Sequence, residues 1–87
     1  PRMARAPQAE QKTEVYPNPV RDVLTVGYDG EAVARIVITD VQGREVMRSE
    51  VAYGQTLVDV HHLAPGVYLW RVLDGGVEKG KGKFVKQ

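Results

Sequence analysis

His61 and His62 stand side by side in "VDVHHLAPG", residues 58–66. They are the side chains here best suited to hold a metal or move a proton near neutral pH. Read as strand residues, adjacent histidines point to opposite faces and are not expected to chelate one ion together. No third ligand is spaced to help them. The acids Asp22, Asp29, Glu31, Asp40, Glu45, Glu50, Asp59, Asp74 and Glu78 are scattered, and no pair suggests an acid and its base. Ser49 is the only serine and lacks a nucleophile-elbow context. With no cysteine in the chain, thiolate metal sites, disulfides and cysteine nucleophiles are excluded. Gly75-Gly76 is not a phosphate loop, because no helical pattern follows it. These residues predict no enzyme, no cofactor and no metal site.

The aromatic residues offer binding chemistry instead. Trp70 is the only tryptophan, and an exposed indole would give a sugar ring a stacking platform. With Tyr68 and Val72 two positions away on either side, it is expected in the core. "LAPGVY", Leu63 to Tyr68, resembles the tyrosine corner of immunoglobulin-like sandwiches, whose phenol bonds to backbone just upstream.

The elements that must carry these residues follow a period of two. "VLTVGY" places Leu24, Val26 and Tyr28 on one face, and "VARIVITD" does the same with Ala34, Ile36 and Ile38. "EVMRSEV" is a weaker strand, expected to turn Val46 and Val51 inward. "TLVDVHHL" offers Val58 and Val60, and "GVYLWRVL" is apolar on both faces, which suits a central strand or one with a sticky outer side. Asp29-Gly30 and Asp74-Gly75-Gly76 suit tight hairpins, and "DVQG", residues 40–43, suits a type I turn. Turns at intervals of about ten residues predict an all-β, immunoglobulin-like antiparallel β-sandwich of about seven short strands.

The two ends are distinct. Residues 1–14 hold few apolar side chains and are read as a flexible linker, with the folded domain over 15–87. Tyr16-Pro17-Asn18-Pro19 forms a stiff, extended entrance to that domain. At the other end, "EKGKGKFVKQ" alternates Lys79, Lys81 and Lys83 with Gly80 and Gly82. It is either an edge strand guarded by lysine or a bare edge that accepts a partner strand. Nothing in the pattern settles whether Phe84 or Val85 faces inward.

Composition narrows the class further. Eighty-seven residues make one small domain, and 43% hydrophobic content supports one core. A net charge of +1 argues against a duplex nucleic-acid binder. No apolar run approaches the ~20 residues of a membrane span. The first residue, Pro1, opens no signal-peptide pattern, so a processed or excised piece of a longer chain is expected.

In order along the chain, "VYPNPVRDVLTV", "ITDVQGREV", "VDVHHLAPGVYLWRV" and "GKFVK" resemble the C-terminal sorting domain of type IX secretion cargo from Gram-negative Bacteroidota. The resemblance covers Val15 to Gln87. By position, Tyr16, Pro17, Asn18 and Pro19 match the opening motif, and Asp40, Gly43 and Arg44 the middle turn. Leu63, Gly66 and Tyr68 match the third motif, and Lys83, Phe84, Val85 and Lys86 the last. The resemblance implies a secretion signal without chemistry of its own. Its partners would be the outer-membrane translocon and shuttle proteins, a cell-surface sortase and a cargo domain upstream in the same chain. Location would be the periplasm in transit, then the cell surface or medium. The cut would fall within Met3 to Glu14. The competing reading is a carbohydrate-binding or adhesive sandwich attached to a secreted hydrolase. Exposed aromatics would favour it, and burial of Trp70 and Tyr68 would favour the sorting domain.

Overall fold

The structure, a computed structural model, describes residues 13–87. Seven strands and no helix make up the described chain: β1 (Thr13–Tyr16), β2 (Val23–Tyr28), β3 (Ala34–Asp40), β4 (Glu45–Val51), β5 (Gly54–Asp59), β6 (Gly66–Asp74) and β7 (Val77–Lys86). They form a three-stranded sheet, β1-β2-β5, and a four-stranded sheet, β4-β3-β6-β7, every strand pair antiparallel. This is the expected all-β sandwich.

Alternation decides which side chains lie between the sheets. Leu24, Val26 and Tyr28 from β2 meet Ile36 and Ile38 from β3 and Tyr68, Trp70 and Val72 from β6, all buried. Val58 and Val60 close the core from β5 and the residue after it, and Phe84 from β7. The outer side of β6 carries Val67 and Leu69, both about two-fifths exposed (43% and 41%), so the sticky outer face is the version realised. Phe84 is buried and Val85 exposed, which resolves the ambiguity at the end of β7.

Local departures from strict alternation account for the expectations that failed. Val46 is exposed and Met47 packs on the core instead. The cause is an irregularity between Ile38 and Thr39: Ile38 pairs with Met47 and Thr39 with Glu45, which leaves Val46 as the extra residue of a bulge. Asp29-Gly30 makes no hairpin, because β2 and β3 lie in different sheets and the segment between them crosses from one to the other. Asp74-Gly75-Gly76 does make one. Asp74 pairs with Val77, and the two glycines between them take positive φ values of 58° and 87°, as a two-residue turn matched to strand twist requires.

Strand structure begins before the expected domain boundary. Thr13 and Glu14, read from sequence as linker, pair with Tyr28 and Gly27. The rest of that linker, and most of the expected cut region, falls on residues 1–12, outside the described residues.

Candidate recognition end

The motif residues are far apart in sequence, and the fold brings them to one end of the sandwich. β6 is the hub. Its Tyr68 sits opposite Asp40 of β3 on one side and Phe84 of β7 on the other, while Gly66 pairs with Lys86. Val20 then forms a parallel bridge to Lys86. The middle turn, the tyrosine corner, the end of β7 and the segment after β1 are thus joined by consecutive neighbour contacts.

Asp40 organises the turn between β3 and β4. Its backbone carbonyl accepts the Gly43 amide at 3.0 Å, and its amide donates to the Arg44 carbonyl at 2.9 Å. Its carboxylate accepts from the Gln42 amide at 2.9 Å, the Arg44 amide at 3.0 Å and Arg44 Nε at 2.9 Å. The bond from the Arg44 amide is the main reason its carboxyl titrates below the usual range; desolvation opposes this, and the Gln42 amide and the Arg44 side chain add to the lowering. Gly43 is required by conformation, with φ at 87°. The Arg44 side chain is 74% exposed, so its ion pair with Asp40 adds little stability and leaves most of the guanidinium accessible.

Tyr68 forms the expected corner. Its hydroxyl donates to the Ala64 carbonyl at 2.6 Å, four residues upstream. Its ring stacks on Phe84 with centroids 5.6 Å apart. Between this corner and the Asp40 turn lies a shallow groove floored by Tyr68 and rimmed by Gln42, Arg44, Pro65 and Val67.

The Tyr16-to-Pro19 segment is a clasp as well as an entrance. Tyr16 ends β1, its hydroxyl accepting from Gln55 Nε2 at 2.6 Å. Both X–Pro bonds, Tyr16-Pro17 and Asn18-Pro19, are cis. Asn18 reaches the outer edge of β7, where Oδ1 accepts the Val85 amide at 2.9 Å and Nδ2 approaches the Lys83 carbonyl at 3.4 Å. Val20 continues along that edge: its amide donates to the Val85 carbonyl and its carbonyl accepts the Gln87 amide, both at 2.8 Å.

Those bonds correct the view of the chain end as a bare edge. From Lys83 to Gln87 the edge of β7 is already taken, by Asn18 and Val20. Further back, Thr13 Oγ1 approaches the Lys79 carbonyl at 3.4 Å. The glycines also have inward duties. A Cβ on Gly82 would lie 3.0 Å from Trp70 Cζ2 and Nε1, and one on Gly80 would lie 2.8 Å from Thr13 Cβ. The Gly-Lys alternation therefore reads as close approach on the inner face and solvated charge on the outer. Lys86 departs from the pattern, being only 6% exposed, with Nζ donating to the Gln87 carbonyl at 3.0 Å.

Two further sequence readings meet the geometry differently. Trp70 and Tyr68 are each 7% exposed, so neither offers a platform to a sugar. His61 and His62, read as strand residues pointing apart, lie in the turn that follows β5, because β5 ends at Asp59. Their rings stand edge to face with centroids 5.7 Å apart, and Asp59 supplies the third group the sequence reading missed. The signal was present as an Asp two residues before a His, an arrangement that closes a side-chain turn.

A profile of the family described as the secretion system C-terminal sorting domain matches residues 14–87. No curated protein matches the chain.

Proposed function

The chain belongs to the secretion system C-terminal sorting domain family, the sorting signals of type IX secretion, and from that premise we propose how its folded end is used. Membership makes it a signal for export to the cell surface or medium and implies contact with the secretion machinery. The proposal is that the domain is read in the periplasm as a folded body, by shuttle and outer-membrane translocon proteins that contact the recognition end. A surface sortase then cuts upstream of the domain and frees or anchors the cargo.

The observation that carries this reading is the convergence of Asn18, the Asp40 turn, the Tyr68 corner and the end of β7 on one end, arranged as a buried frame with an accessible rim, while Tyr16 is set apart beside Gln55. Tyr68, Phe84 and Lys86 are buried and hold shape, while Arg44, Gly66, Val67, Lys83 and Val85 are exposed. A partner meeting that end touches the second set and depends on the first for its spacing. A protease binds its substrate extended and unpaired, and the backbone of Thr13 and Glu14 is engaged in the β1–β2 ladder. Within the Met3-to-Glu14 span, the cut proposed here falls before Thr13, and the pairing of Thr13 and Glu14 supports that choice.

The test fuses the 87-residue chain behind a signal-peptide-bearing fluorescent protein in a type IX-competent bacterium and in a strain lacking the translocon. Fluorescence should leave the periplasm only in the competent strain. Mass spectrometry of the exported protein should place its new C-terminus within residues 3–12. Retention in both strains would overturn the sorting role. An exported fusion that still carries β1 would overturn the cut.

A further inference from the structure

We propose that the turn after β5 is a divalent transition-metal site, with Asp59, His61 and His62 as ligands. One donor atom from each side chain lies within 4.8 Å of the other two. A tetrahedral zinc site, with bonds of about 2.0–2.2 Å, holds its donors about 3.4 Å apart. All three side chains are exposed, so no core packing opposes the rotamer changes that would bring the donors to that spacing. Two imidazoles and one carboxylate form a borderline donor set that suits Zn²⁺ and other late first-row ions over Mg²⁺ or Ca²⁺, which want oxygen. Three protein ligands leave a fourth position for water or a group from a partner.

The backbone beneath the site is held in place, so few degrees of freedom remain to be fixed on binding. Val60 and Leu63 flank the histidines and are both buried. The Val60 amide donates to the Asp22 carbonyl at 2.8 Å, and the Leu63 amide to the Val60 carbonyl at 3.0 Å. Asp59 Oδ1 accepts the His61 amide at 3.0 Å and lies 2.6 Å from His61 Nδ1. This contact already holds an imidazole nitrogen and a carboxylate oxygen side by side. Binding parts the two atoms from 2.6 Å to about 3.4 Å, and the neutral His61 tautomer with its single ring proton on Nε2 offers Nδ1 to the metal.

The experiment titrates the untagged 87-residue chain with ZnCl₂ against a chromophoric zinc chelator and follows the histidine ring resonances by NMR. One equivalent should bind with a Kd around micromolar, weaker than a closed four-ligand site. The His61 and His62 ring signals should shift together. His61→Ala and His62→Ala should each weaken binding by about tenfold or more. Both positions are exposed, and circular dichroism should show the fold unchanged. Asp59→Asn keeps an oxygen acceptor for the His61 amide, so it isolates the carboxylate as ligand and should also weaken binding. A Kd above about 1 mM, or binding that survives in the His61→Ala, His62→Ala double variant, overturns the site.

Discussion

Asn18 closes the edge of the last strand: its Oδ1 accepts the amide of Val85 at 2.9 Å, across 67 residues of chain. A strand edge left open recruits other strands, and a short asparagine side chain that offers both an acceptor and a donor imitates one residue of a neighbouring strand. The opening motif and the closing motif are two halves of one structure.

Asn18→Ala is therefore expected to loosen the end of β7 without unfolding the domain. Both bonds lie at an exposed position, so water replaces them and the loss should be about 1 kcal/mol. That corresponds to a fall in Tm of roughly 4–8 °C for a domain of this size. Hydrogen exchange at the Val85 amide should quicken more than exchange in the centre of β6. Unchanged protection at Val85 would show that Val20 alone holds the edge.

The strand faces were legible because alternation is a local signal. Leu24, Val26 and Tyr28, or Ala34, Ile36 and Ile38, announce their common side from spacing alone. The tyrosine corner was legible too, since Tyr68 and its acceptor Ala64 are four residues apart. Longer-range pairings left no such mark. Nothing local to Asn18 names Val85, and nothing local to Gly82 names Trp70. Val46 misled because the bulge that turns it outward arises from pairing with β3, not from its own neighbours. His61 and His62 misled through an error in where a strand stops: two residues changed opposite faces into a shared turn.

Gly82→Ala should destabilise the domain through Trp70. The added methyl meets the indole at 3.0 Å, and Trp70 is only 7% exposed, so the ring has little room to retreat. Overpacking of this kind costs about 1–3 kcal/mol. Urea denaturation should show that loss together with a shift in tryptophan emission. Lys83→Ala, an outward change on the same strand, should stay within about 0.5 kcal/mol of wild type. Equal stability of the two variants would remove the reason given for the glycine.

Acid should weaken the domain partly through Asp40. Hydrogen bonds, led by the one from the Arg44 amide, hold its folded pKa below the unfolded value of about 3.9. A group depressed on folding adds stability above its unfolded pKa, and that stability is lost as pH falls through the folded value. Asp40→Asn cannot ionise, though it keeps an acceptor oxygen. From about pH 5 to about pH 2, Tm should fall less steeply in the variant than in wild type. Glu45 and Asp59, also depressed, titrate in both proteins and cancel in the comparison. Parallel acid profiles would show that Asp40 serves the turn only through its geometry.

The last prediction separates recognition from folding on β7. Lys83 and Lys86 both belong to the closing motif, yet their surroundings differ. Lys83 is exposed on the outer face, whereas Lys86 is 6% exposed and bonded to the Gln87 carbonyl. Reversing the charge at Lys83 should alter the encounter with a partner and leave the core untouched, because an exposed charge mainly steers association. Reversing Lys86 places a carboxylate in a nearly closed site without a positive partner, which costs stability before any partner is met. In the cargo fusion, Lys83→Glu should leave the protein in the periplasm with Tm within a few degrees of wild type, on the scale of a surface change. Lys86→Glu should lower Tm clearly, and its export should fall with its folding. A double variant, Lys83→Glu with Val85→Thr, reverses charge and removes apolar contact on the same outer face and should likewise stay in the periplasm with its fold intact. Export of the Lys83→Glu protein at the wild-type level would confine Lys83 to solvating the outer face of β7, and the rim of the recognition end would then have to be sought at Arg44 and Val67.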